Sequence, residues 1–132
     1  MIEIQKVAAS DCWQIRHEVM WPNKELDYVK LPNDDEGVHF GLFKDNRLIA
    51  VISLFIHGKE AQFRKFACLN SEQGNGYGSR LLMHVLDFST RLVERIFCNA
   101  RVEKAAYYQK FGMKQTLDVF EKGGKKYVIM ER

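Results

Sequence analysis

No run of eighteen apolar residues occurs anywhere in this 132-residue chain, so no membrane-spanning helix is expected. Cysteines are few and odd in number: Cys12, Cys68 and Cys98 have no Cys-x-x-Cys spacing, and each lies in an apolar stretch. That excludes a paired disulfide framework and suggests buried free thiols, with Cys68 the one to consider for catalysis. The segment Met1-Ile2-Glu3-Ile4-Gln5 lacks a basic region followed by an apolar one, so a secretory leader is not expected and a cytoplasmic location is. There is little excess charge of either sign, with 20 basic against 17 acidic residues and a net charge of +3. The basic residues are scattered rather than gathered in a stripe, which argues against nucleic acid as a partner. Lys122, Lys125 and Lys126 do cluster about Gly123-Gly124, as a solvated hairpin tip would. The four histidines, His17, His39, His57 and His84, have no metal-ligand spacing, and no metal is expected.

What is present is one stretch of unusual density. Gln73-Gly74-Asn75-Gly76-Tyr77-Gly78-Ser79 places glycine at alternate positions between the apolar run Phe63 to Leu69 and the amphipathic run Arg80 to Leu92. Without Cβ atoms such a loop can turn several N–H groups inward and let a ligand approach its backbone, which makes an anion cradle. The following run reads as a helix with Leu81, Leu82, Val85, Leu86 and Ser89 on one face, so its positive dipole end meets the same loop. A phosphate or pyrophosphate is the expected ligand. A P-loop is excluded because Gly78 is followed by Ser79-Arg80, and the dinucleotide fingerprint would need its third glycine one position later. A glycine-rich connection of no function is the alternative at this point.

The length fits one domain spanning residues 1–132. Ile2, Ile4 and Val7 suggest a first strand; Ser10-Asp11 offers an N-cap to a helix ended by Trp21-Pro22. Asn23 to Gly37 reads as a long polar loop carrying the acidic cluster Asp34-Asp35-Glu36. Three strands follow as an antiparallel meander, at Val38 to Leu42, Leu48 to Ile56 and Ala61 to Leu69. After the glycine loop and its helix come a short strand Arg95 to Cys98, a helix Val102 to Phe111 stopped by Gly112, and a hairpin of Leu117 to Phe120 with Lys126 to Met130.

Two of these stretches, in this order, resemble the signatures of the GNAT superfamily of acetyl-CoA-dependent N-acetyltransferases. Ala67 to Gly78 follows that family's strand-to-loop segment, with its Gln/Arg-x-x-Gly-x-Gly core at Gln73, Gly76 and Gly78. About thirty residues on, Ala106-Tyr107-Tyr108-Gln109-Lys110-Phe111-Gly112-Met113 resembles the second signature, with Met113 where Phe is usual. The segments His39-Phe40-Gly41 and Phe120 to Met130 are similar to a small subgroup of single-domain members, mostly of unassigned substrate.

The resemblance implies an α/β fold whose mixed, mostly antiparallel sheet has splayed central strands flanked by helices. It implies that Gln73, Gly74, Asn75, Gly76, Tyr77, Gly78 and Ser79 hold the pyrophosphate of acetyl-CoA, chiefly through backbone. Phe66 and Cys68 would offer backbone groups to the pantetheine arm and the thioester carbonyl, where a donor stabilises a developing oxyanion. Asn99, placed just after the strand Arg95 to Cys98, would bond the pantetheine or the amine, or else form a turn. Tyr108 stands at the position that protonates the leaving thiolate, with Tyr107 packing beside it. A phenol near pKa 10 facing a thiol near 8.5 makes full transfer uphill by about 2 kcal/mol, so hydrogen bonding to the sulfur is the expected role.

The acceptor is an unidentified amine, attacked directly in a ternary complex. An alkylamine is neutral in about one molecule in 2,500 at pH 7, a cost of about 4.6 kcal/mol, so a base or a water chain is needed. His39, Glu60, Glu72, Asp34 and Glu36 are the candidates. The acidic cluster could attract a polyamine or basic peptide. A CoA-binding sensor without transferase activity and a transferase using another acyl-CoA are the alternatives, and the chain could be a monomer or a homodimer.

Overall fold

The computed structural model describes residues 1–132. Strand β1 (Ile2–Val7) leads into helix α1 (Ala9–Met20); β2 (Val38–Lys44), β3 (Arg47–His57) and β4 (Glu60–Cys68) form the meander. Helix α2 (Tyr77–Thr90) crosses to β5 (Arg95–Arg101), and α3 (Ala105–Gln109) precedes the hairpin of β6 (Lys114–Lys122) and β7 (Lys125–Glu131). All seven strands lie in one sheet in the order β1-β2-β3-β4-β5-β7-β6. Every neighbouring pair is antiparallel except β4 and β5, whose parallel relation the crossover through α2 makes possible. No helix is long and apolar enough to cross a membrane.

The two-residue turns follow from local chemistry. Asp45 and Asn46 both adopt positive φ between β2 and β3, and Gly123 and Gly124 do so between β6 and β7, as hairpin turns matched to strand twist require. Residues Ile49 to Phe55 of β3 are all buried, because the strand is covered on both faces. Phe40 turns toward α2, where it meets His84 and Phe88 edge-on, whereas its neighbour His39 and the paired Ser53 face α1. The expected inner face of α2, Leu81, Leu82, Val85, Leu86 and Ser89, is fully buried.

Four local expectations need correction. The N-cap of α1 is Ala8, with Ser10 and Asp11 inside the first turn; Asp11 still serves the helix start by accepting the Ala8 N–H through Oδ2 at 3.0 Å. Helix α2 begins at Tyr77 rather than Arg80, so Tyr77, Gly78 and Ser79 are its first turn. Strand β5 runs on to Arg101, which places Asn99 within the strand, opposite Ile129, and not in a turn.

The fourth concerns the polar connection. It is tied to the core by a buried ion pair, not merely solvated. Arg16 is fully buried and grips Asp34 with both terminal nitrogens at 2.8 and 2.9 Å, while also donating to the Val29 carbonyl and Ser53 Oγ. Trp13 and the Leu31 amide donate to Asp34 as well. His39 completes the network: Nε2 donates to the Asp34 carbonyl at 2.7 Å, and Ser53 Oγ, already accepting from Arg16, donates to Nδ1 at 2.7 Å. Asp34 and His39 are therefore occupied as structure, and neither is a free base.

Burial disfavours the Asp34 charge, but hydrogen bonds from Arg16, the Leu31 amide and Trp13 outweigh it and hold the carboxyl at about 2, below the ordinary 3.8. The folded-state value lies below the unfolded one, so this stabilisation is complete above 3.8 and is lost as pH falls toward 2. Asp34→Ala, which strands a buried guanidinium, should cost about 3–5 kcal/mol in urea unfolding at pH 7, and Asp34→Asn nearly as much. A loss below about 1 kcal/mol would show that the pair does not anchor the loop.

Candidate functional site

The sheet opens at its only parallel pair. Val51 pairs with Ala67 and Ser53 with Arg64, so the single residue Ile52 of β3 faces two residues of β4, Lys65 and Phe66. This β-bulge puts Lys65 at φ 55°, a left-handed conformation that L-residues seldom adopt outside constrained sites. Just before it β4 has already parted from β5: pairing exists only from Glu60↔Arg95 to Gln62↔Phe97, after which β5 bonds to β7 alone. The Leu69 amide donates to the Ile49 carbonyl on the β3 side, so strand alternation turns the Cys68 and Phe66 backbone toward the gap. A cleft of about 690 Å³ occupies the gap, walled by Phe63 to Cys68, by the glycine loop, by Cys98 to Arg101 and by Tyr107 and Tyr108.

The glycine loop closes one end. The N–H groups of residues 74 to 79 donate to no backbone acceptor, since the first intrahelical bond of α2 is Arg80 N–H to the Gly76 carbonyl. Gly76 reaches the helix through φ 81°, with open space where a Cβ would stand. Gly78 sits over the bulge, where a Cβ would touch the Phe66 ring at an ordinary 3.4 Å, so the helix start packs directly on Phe66. Gln73 braces the loop from below, donating to the Cys68 carbonyl and Asn70 Oδ1. Asn75 is the one loop residue off the cleft wall; its amide donates to the Glu72 carbonyl at 3.3 Å.

The two tyrosines take different parts. Tyr107, expected only to pack, hydrogen-bonds Ser79 Oγ at 2.9 Å and so ties α3 to the first turn of α2. Tyr108 packs tilted against Phe63 and edge-on against Tyr107, and its hydroxyl has no protein partner in the cleft it lines. Burial, then the neighbouring Cys98 and Tyr107, push the Tyr108 phenol above its ordinary value, so it stays protonated at working pH.

The remaining carboxylates are placed elsewhere. Glu60 is bound to Arg95 at 2.8 Å where β4 and β5 are still paired, and Glu36 is exposed outside the cleft. Glu72 does line the cleft but is paired with Lys44 at 3.0 Å. Lys65, Met20 and Tyr127, also on the wall, carry no sequence signal that marks them.

Burial pushes the Cys98 thiol up to about 12 and that of Cys12 to about 11; Cys68, raised by burial and then by Glu72, is only partly covered. N-ethylmaleimide should therefore add once to the native protein, slowly and at Cys68, as read by peptide mass spectrometry. First modification of Cys12 or Cys98 would contradict this packing.

The sequence from residue 6 to 113 matches the model of the Acetyltransferase (GNAT) family. An uncharacterized N-acetyltransferase of Bacillus subtilis, YitI, is 27% identical over 131 residues, covering 92% of this chain and 88% of that one. Among solved structures, Escherichia coli ElaA superposes with a TM-score of 0.84 at 20% identity over 100% of this chain and 99% of its own. A GNAT family acetyltransferase from Elizabethkingia anophelis, solved with acetyl-CoA bound, gives 0.76 at 16% identity over 98% and 96%. The expected splayed α/β fold is thus present, and the chain belongs to the GNAT acetyltransferase family.

Proposed function

We propose that the protein is a cytoplasmic acetyltransferase that moves acetyl from acetyl-CoA to a primary amine of a small molecule or peptide by direct attack in a ternary complex. The observation that carries this reading is the open sheet edge of β4 running directly into a helix start whose N–H groups are free. Unpaired amides at a positive helix end suit a pyrophosphate, and an unpaired strand edge suits an extended amide-bearing arm. The donor supplies an activated acetyl group; the chain's own residues bind, orient and hold protons.

The loop from Gln73 to Ser79 grips the phosphates through backbone, with Asn75 contributing by shape rather than by contact. The Phe66 and Cys68 backbone aligns the arm, and an amide from this edge polarises the thioester carbonyl. Asn99, on β5 across the gap, bonds the arm or the amine. Tyr108 holds its proton at the position of the departing sulfur. No carboxylate or imidazole among the five considered is free in the cleft, so we assign removal of the amine proton to water there.

Acetyl-CoA at about a hundred times its Kd should stabilise the wild type by roughly 2.7 kcal/mol in thermal unfolding. Gly76→Glu, which sets a side chain and a charge at the phosphate position, should abolish that shift, and its persistence would refute the loop assignment. Tyr108→Phe should keep the shift while lowering kcat about a hundredfold or more. Unchanged turnover would remove Tyr108 from the mechanism.

Without a protein base, log(kcat/KM) should climb with a slope of about one through neutral pH up to the acceptor's own pKa. A plateau beginning near 6.5 would instead point to a histidine base.

A further inference from the structure

The cleft continues past the bulge into a second cavity of about 500 Å³, which shares Met20, Phe63, Arg64, Lys65, Asn99 and Tyr127 with the first. It lies at the end away from the glycine loop, where an acceptor would meet the donor if the proposed function is right. Its apolar wall is aromatic: Trp21 and Tyr28 meet edge-on at 5.2 Å, and Phe120 stacks on Tyr127 at 5.5 Å. Its charges are all of one sign. Arg64, Lys65 and Lys122 line it with no carboxylate among the lining residues, and none of the three forms an ion pair.

Asp34, the nearest buried carboxylate, is consumed by Arg16, so it does not neutralise the group. Arg64 and Lys65 are both partly buried, and their pKa values are pushed down by burial first and then by neighbouring cations. Uncompensated, partly desolvated cations are costly, and an anion among them removes that cost. A polyamine or basic peptide, the acceptor suggested by the acidic cluster in sequence, would add to the repulsion instead.

We infer that the acceptor is a primary amine that carries its own anionic group, set beside Arg64, Lys65 and Lys122, and an aromatic or apolar body packed on Trp21, Tyr28, Phe120 and Tyr127. This rests on the acetyltransferase reading for its reaction but not for its polarity. A carboxylate or a phosphate meets the same requirement, and matched amines separate the two.

The test compares phenylalanine with phenethylamine, O-phosphoethanolamine with ethanolamine, and spermidine, each followed by release of free CoA. The anionic member of at least one pair should have kcat/KM tenfold or more above its partner that lacks the anion, with the pair that does so identifying the anion. Arg64→Gln and, on the exposed hairpin, Lys122→Gln should each shrink that ratio at least threefold. Binding is read separately, without turnover, as the Kd of N-acetylphenylalanine against N-acetylphenethylamine, and of N-acetyl-O-phosphoethanolamine against N-acetylethanolamine, on the CoA-loaded protein. Tenfold tighter binding of an anionic product, with no amine turned over, would uphold the pocket's polarity and sink the transferase reading. Efficient turnover of spermidine or phenethylamine would overturn the inference while leaving acetyl transfer standing, and no anionic preference in either binding or turnover would overturn it whether or not an amine is acetylated.

Discussion

The bulge at Lys65-Phe66 is the constraint on which the site depends. A sheet with unbroken pairing between β4 and β5 would bury the Phe66 and Cys68 backbone and leave no cleft. One extra residue opposite Ile52 bends β4 just past the point where it has parted from β5, and the left-handed Lys65 carries the strain, of order 1–3 kcal/mol. That strain persists because β3, on the other side, is packed between α1 and α2 and cannot follow. Gly78 lies over the bulge, where a Cβ would come into ordinary contact with the Phe66 ring at 3.4 Å. The free helix end and the open strand edge thus meet at this irregularity.

The Arg16–Asp34 pair does comparable work at the other end. Ion pairs in protein interiors are poor stabilisers against an apolar alternative, because desolvation consumes most of the Coulomb gain. Here the pair's use is positional. By holding Asp34, the Val29 carbonyl and, through Ser53, His39, it fixes a connection rich in polar residues against the face of β3. Tyr28 and Leu31 of that connection, with Trp21 at the end of α1, become part of the wall of the second cavity. Removing the pair would loosen the pocket as well as the fold.

What could be read from sequence divides along the range of the interactions. The inner face of α2 was legible in the spacing of Leu81, Leu82, Val85 and Leu86, and the last hairpin in Gly123-Gly124, because both are set by residues close together in the chain. The glycine loop was legible for the same reason. The bulge was not: nothing about a lysine at position 65 signals positive φ, which comes from register across β3 and β4. Nor was the fate of Asp34. Beside Asp35 and Glu36 it reads as a solvated charge, and only a partner eighteen residues back, on the buried side of α1, makes it structural. With Asp34 held by Arg16, the second cavity is lined by the cations Arg64, Lys65 and Lys122 and by no carboxylate, the reverse of what the acidic cluster suggests.

That reversal bears on the missing base. A bound ammonium among Arg64, Lys65 and Lys122 is disfavoured relative to the neutral amine, since like charges nearby depress its pKa. Each unit of depression removes about 1.4 kcal/mol from the cost of deprotonation, which for a free alkylamine at pH 7 is about 4.6 kcal/mol. Two units would meet over half of it. In the inferred complex the acceptor's own anion would pair with the cations, while the amine, turned toward the bulge and the thioester position, would meet the residual positive field. On this reading a pocket without a carboxylate base is not deficient: the cations that select the acceptor also prepare its nitrogen, and water need only carry the proton away.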